Sequence, residues 1–215
     1  MTIKITNTFD WKHPELHGMD IVQRSLSENE YRGFVDAVDQ GNETAAHKIL
    51  AKNPIIFEPV LERVGHHAMW FKNKPEIRPT LTNGKPGQIP DCLIAGKGSG
   101  GIEWFIVELK SPQVNLFHPG GYFSSEANKG LNQLARYMAY ANEKQGAIRD
   151  ALEIRDFKTP QGIFVIGRQD ETDQNEILEQ LKSFWRSQLS NIQIVSYSRL
   201  VHAATEVFHR KTISS

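Results

Sequence analysis

From Ser27 onward the apolar residues recur at helical spacing. Tyr31, Phe34, Val35 and Val38 stand three and four positions apart, Ser27-x-x-Glu30 offers a capping box at the start, and Gly41-Asn42 ends the run. A second helix is expected from Glu43 through Ala46, Ile49 and Leu50. Asn53-Pro54 breaks it, because the residue before a proline is pushed out of the helical region, and Ile55 to Val64 supplies a further short apolar turn or helix. Residues 1 to 27, with Trp11, Pro14 and Gly18, carry no sustained period and read as an irregular arm.

The period then changes. Ala68 to Lys72 and Glu76 to Leu81 look extended, Asn83-Gly84 is a turn pair, and Ile89 to Ala95 reads as a strand. Gly96, Gly98, Gly100 and Gly101 punctuate a connection before the strand-like run Ile102 to Lys110, so the two strands are expected to pair as a hairpin centred near Gly98-Ser99. Ser111-Pro112 stops the second strand. Ser124 or Ser125 then caps a helix to about Asn142 with Leu131, Leu134, Ala135 and Met138 as its buried stripe. After a polar span, Ile163 to Ile166 between Gly162 and Gly167 is a continuous apolar run of the interior-strand type. Asp173-x-x-Glu176 marks another helix, with Ile177, Leu178, Leu181, Phe184, Trp185 and Leu189 on one wide apolar face. Ile192 to Tyr197 reads as a last strand and Leu200 to Phe208 as a last helix.

Composition narrows the class. The chain has 215 residues, 39% hydrophobic and 23% charged, which suits one globular domain with an added arm. No run approaches the roughly 20 apolar residues that span a bilayer, and the N-terminus has no secretory apolar region, so a cytoplasmic location without membrane attachment is expected. The lone cysteine, Cys92, has no partner for a disulfide or a zinc knuckle. Lys plus Arg and Asp plus Glu both number 25, so any attraction to a polyanion must be local.

The chemistry concentrates in two adjacent strands. Glu108 and Lys110 alternate onto the face of Ile106, and the expected hairpin sets Asp91 opposite Ile106, diagonal to Glu108. Two carboxylates this close repel unless a cation lies between them, and hard oxygen donors with positions left for water and phosphate suit Mg²⁺, with the Leu109 carbonyl as a further ligand. Lys110 then has two possible tasks: orienting and helping to activate a water, or offsetting charge that builds in a transition state. The bland alternatives are a solvated ion pair for Glu-x-Lys and a turn for Pro-Asp; against them, Glu108 and Lys110 end an otherwise apolar strand.

Pro90-Asp91 followed by Glu108-Leu109-Lys110 resembles the signature of the PD-(D/E)XK nuclease superfamily, whose cores run helix, three strands, helix, strand. The segments His47 to Val64, Ile89 to Pro112, Ser124-Ser125-Glu126 through Gln133 and Tyr137, and Ile194 to Leu200 are similar to the nuclease domain of the Shedu family of antiphage defence proteins. The resemblance implies an α/β fold, a restriction-endonuclease-like mixed central sheet flanked by helices with a helical N-terminal extension, divided at residues 1–42 and 43–215. It also implies DNA cleavage in immunity with Mg²⁺, or Mn²⁺ in its place, assembly as a homo-oligomer, and an assisting role for Gln133 on the helix after the Glu-x-Lys strand. A catalytically inactive DNA-binding or assembly module on the same fold is the rival expectation.

The chain departs from the family at Ser196-Tyr197-Ser198, where a Thr-Tyr-Asp sequence is usual, and its N-terminal portion is short, so regulation is expected to differ. Some members of the superfamily that the chain resembles add an acidic ligand from the first core helix; Glu58 and Glu62 are the candidates here, and an ordinary surface charge is the equal alternative for either. Lys129, Arg136, Tyr137 and Tyr140 stand near the Gln133 side of their helix, as phosphate contacts or as a solvated face with packed tyrosines. Adjacent strand residues point to opposite faces, so His66-His67 is no zinc site, and Gly96-x-Gly98-x-Gly100-Gly101 lacks the spacing of a phosphate cradle.

Overall fold

A computed structural model describes residues 16, 18–22, 25–61, 68–78, 87–98, 100–168 and 176–213. The elements in chain order are β1 (Asp20–Ile21), α1 (Glu28–Asp39), α2 (Glu43–Lys52), a 3₁₀ turn (Pro54–Phe57), α3 (Glu58–Leu61), β2 (Ala68–Asn73), β3 (Cys92–Gly98), β4 (Gly101–Leu109), α4 (Ser125–Glu143), α5 (Gln145–Leu152), β5 (Gln161–Val165), α6 (Glu176–Gln188), β6 (Ile192–Val195) and α7 (Tyr197–Ile213). This is the expected α/β architecture: a six-stranded mixed sheet in the order β1-β2-β3-β4-β5-β6, flanked by helices. Strands β1 to β4 pair antiparallel, whereas β4, β5 and β6 run parallel, so β4 is where the sheet changes character.

Alternation along β4 divides the interior into two cores. Phe105, Val107 and Leu109 pack with Phe34 of α1, Ala46 and Leu50 of α2, and Leu200 and Ala204 of α7. Trp104 and Ile106 point the other way, towards Leu134 and Met138 of α4 and Ile148 and Leu152 of α5. Both faces of the central strands are therefore covered, which is why β4 and β5 read as continuous apolar runs. The expected capping box is formed: Ser27 accepts from the Glu30 amide while the Glu30 carboxylate accepts from the Ser27 amide. No described helix is long and apolar enough to cross a membrane.

Several expected details differ. The hairpin closes with Gly98 paired to Gly101, so Leu93 rather than Asp91 faces Ile106, and Asp91 stands just before β3. The register is two residues away from the expected one, a shift that preserves every face because the strand period is two. In α4 the buried positions are Ala127, Gly130, Leu134, Tyr137, Met138 and Ala141, while Ala135 is exposed and Leu131 half-buried. Ile177 and Phe184 of α6 are exposed, so that helix buries a narrower stripe than its apolar content indicated. The expected last strand stops at Val195, and Tyr197 already begins α7. The polar span after α4 holds α5, and the N-terminal arm contributes the two-residue β1. Trp11, Pro14, Glu62, His66, His67, Asn83, Gly84, Ser99 and Asp173 lie outside the described residues.

Candidate active site

The ends of β3 and β4 meet where helices from both layers reach the rim of the sheet. The Leu109 amide donates to Asp91 Oδ2 at 2.8 Å, which fixes Asp91 beside the last residues of β4. In an extended strand the amide and carbonyl of one residue leave on the same side, so the Leu109 carbonyl emerges on the Asp91 side as well. Glu108 and Lys110 project together from the face carrying α4, and Lys110 Nζ lies 2.8 Å from Glu108 Oε1. The same ammonium is 3.5 Å from Gln133 Oε1 on α4. Gln133 Nε2 in turn donates to the Tyr137 hydroxyl at 2.5 Å, and that hydroxyl donates to the Ile89 carbonyl at 3.2 Å. A chain of polar contacts thus runs from the end of β4 through one helix turn back to the residues preceding Asp91.

Electrostatics make this group unusual. Glu108 is 2% exposed, and burial, then the charge of Asp91, push its carboxyl up to about 7 against the attraction of Lys110. Burial alone would lower Lys110, but the hydrogen bond and charge of Glu108, with Asp91 and Glu43 adding, raise it, so the side chain is an ammonium at neutral pH. Glu108 Oε2 is buried and has no hydrogen-bond partner among the described residues. An unsatisfied carboxylate oxygen beside a second carboxylate is what a bound cation would relieve, so the donor set fits a divalent ion. Among the described residues no three His, Cys, Asp or Glu side chains form a ready cage. Mg²⁺ keeps several waters and needs only one or two carboxylates.

The fold brings Asp91, Glu108, Leu109, Lys110 and Gln133 together. Of the outer residues, Tyr137 is buried, Arg78 lies over the half-buried Tyr140 ring at 6.0 Å, the exposed Lys129 is paired with Glu126 at 2.7 Å, and Arg136 is exposed. Glu58 forms an ion pair with Arg210 of α7. Two contributors were missed from α2. His47 Nδ1 lies 3.8 Å from Asp91 Oδ1, while its Nε2 is 3.2 Å from Asn73 Oδ1. When the ring proton sits on Nε2 and donates to Asn73, the Nδ1 lone pair faces the Asp91 carboxylate. Glu43, one turn earlier, acts electrostatically on Glu108 and Lys110. The signal for both was their four-residue spacing on one helix face. Tyr197, within the Ser196-Tyr197-Ser198 departure, carries no site signal in the sequence: it is fully buried, its hydroxyl has no partner among the described residues, and burial with the charges of Glu43 and Asp91 pushes its ionisation up.

Comparison with known families gives a match to the model described as "Shedu protein SduA, C-terminal", over residues 40–201. This interval holds α2 through the start of α7 and every residue of the site. Comparison with curated proteins finds no match.

Proposed function

The chain belongs to the Shedu SduA C-terminal family, and from that premise we propose that it is a PD-(D/E)XK-type endonuclease that hydrolyses DNA phosphodiester bonds in antiphage defence. The observation that carries this reading is the pairing of the buried Glu108 with the half-buried Lys110, with an orphaned Glu108 carboxylate oxygen beside Asp91. Asp91, Glu108 and the Leu109 carbonyl are the proposed ligands of Mg²⁺ or Mn²⁺. Such an ion, when bound, polarises the scissile phosphate and makes a coordinated water more acidic.

The protein's own groups would do the rest. Lys110 remains charged, so it acts as a hydrogen-bond donor and counter-charge and not as a proton acceptor. Its ammonium is held between Glu108 and Gln133, where it can orient the attacking water and offset the charge that grows on the phosphate oxygens. Gln133 serves as a positioning residue, anchored by Tyr137. Arg136 and Lys129 on the outer face of α4 offer phosphate contacts without reading bases. Cutting both strands of a duplex requires two such sites, so a homo-oligomer is part of the proposal.

Cleavage of linear and supercoiled DNA by wild type and Lys110→Ala, each with Mg²⁺, Mn²⁺ or EDTA, tests it. Metal-dependent cutting by wild type that is lost in a folded Lys110→Ala variant is expected. DNA binding with no cutting under any metal would instead favour an inactive module.

A further inference from the structure

Gly130 occupies the middle of the buried face of α4, in ordinary right-handed helical backbone, where alanine is the more favourable residue. Backbone freedom therefore does not explain it. A Cβ at this position would stand 2.4 and 2.7 Å from Cε2 and Cζ of Phe164 and 2.8 Å from Cε of Lys110. Phe164 is fully buried in β5 and paired in register with Glu108. Lys110 is the movable neighbour. Its stem crosses the bare backbone of Gly130 before the ammonium reaches Glu108 and, one helical turn further along α4, Gln133.

We infer that Gly130 is a positioning residue for Lys110: its missing side chain opens the slot between α4 and the sheet through which the lysine reaches Glu108 and Gln133. The inference rests on the nuclease reading, in which that ammonium addresses the attacking water. It adds a specific cause: the distance between α4 and β4 at this glycine sets where the ammonium stands. A side chain here would press α4 away from the Phe164 ring and crowd the Lys110 stem at once, and either movement takes the ammonium from its place.

The test separates the two contacts. Phe164→Leu removes Cε2 and Cζ, the two atoms nearest a Cβ at Gly130, so in that background Lys110 Cε is the nearest of the named contacts that remains. Phe164→Leu alone should cleave within about twofold of wild type, and adding Gly130→Ala should lower kcat by about 100-fold, with KM for DNA unchanged. Equal kcat in the two variants would overturn the inference. Thermal melting supplies an arm independent of cleavage. In the Phe164→Leu background, Gly130→Ala should lower the melting temperature when Lys110 is present and fail to lower it when Lys110 is replaced by alanine. The same drop in both backgrounds would overturn the inference, even if wild type cut no DNA and the nuclease reading had already failed.

Discussion

A buried carboxyl that titrates near neutrality makes stability depend on pH in a definite direction. Glu108 rises from 4.5 to about 7 on folding, so the folded state holds its proton more tightly than the unfolded chain does. Its contribution is fully present below the unfolded value and is lost as pH rises through about 7, a change of about 3 kcal/mol. Urea unfolding of metal-free protein in EDTA should therefore give a lower unfolding free energy at pH 7.5 than at pH 5, and Glu108→Gln should remove most of that difference. Equal pH dependence in both proteins would assign the slope to other groups. Glu108 and Lys110 share a face that could be read from the chain because two-residue spacing on a strand is a local property, whereas the place of Asp91 rested on a hairpin register that the structure shifts by two. His47 could not be read, since its meeting with Asp91 depends on how α2 crosses the sheet, 44 positions away along the chain in a different layer.

Element boundaries follow the same division between local and non-local causes. The start of α1 was visible because Ser27 and Glu30 complete their capping contacts within four residues. The hairpin register was misjudged by two because the choice of turn lies among four closely spaced glycines, several of which can close a loop. The stripe on α4 was misassigned at Ala135 because the helix turns Gly130 and Tyr137 inward, towards Phe164 and the site, and sequence polarity ranked both below a leucine–alanine pair. Helix α5 escaped because only Ile148 and Leu152 of its eight residues are buried, too few to set a period. Helix α2 matters most to the site, since it carries Glu43 and His47 and begins at Asn42, whose side chain accepts from the Ala45 amide at 3.0 Å. Asn42→Ala should cost about 1 kcal/mol in chemical denaturation, and Asn42→Ser should restore most of it. A loss in both variants alike would mean that the cap is not what holds this end of α2.

At the scale of the whole molecule, one sheet separates two hydrophobic cores, and the site stands at the rim where both layers contribute: α2 from one side, α4 from the other. A cation held there by Asp91 and Glu108 would tie the end of β4 to the residues before β3, and it would also relieve the carboxylate repulsion that burial makes costly. Binding to the folded state alone stabilises by mass action, about 2.7 kcal/mol at a free metal concentration 100 times Kd. For a chain of this length that corresponds to a rise of about 5–10 °C in Tm. Because the ion must displace a proton from a carboxyl that titrates near 7, the rise should be larger at pH 8 than at pH 6. Intrinsic tryptophan fluorescence and far-UV circular dichroism should shift together on adding Mn²⁺, since Trp104 lies in the α4 core while the ligands bridge to the α2 side. Glu108→Ala should abolish the shift in both signals. A Mn²⁺ shift that persists in Glu108→Ala would place the ion elsewhere on the protein and remove the metal from this site.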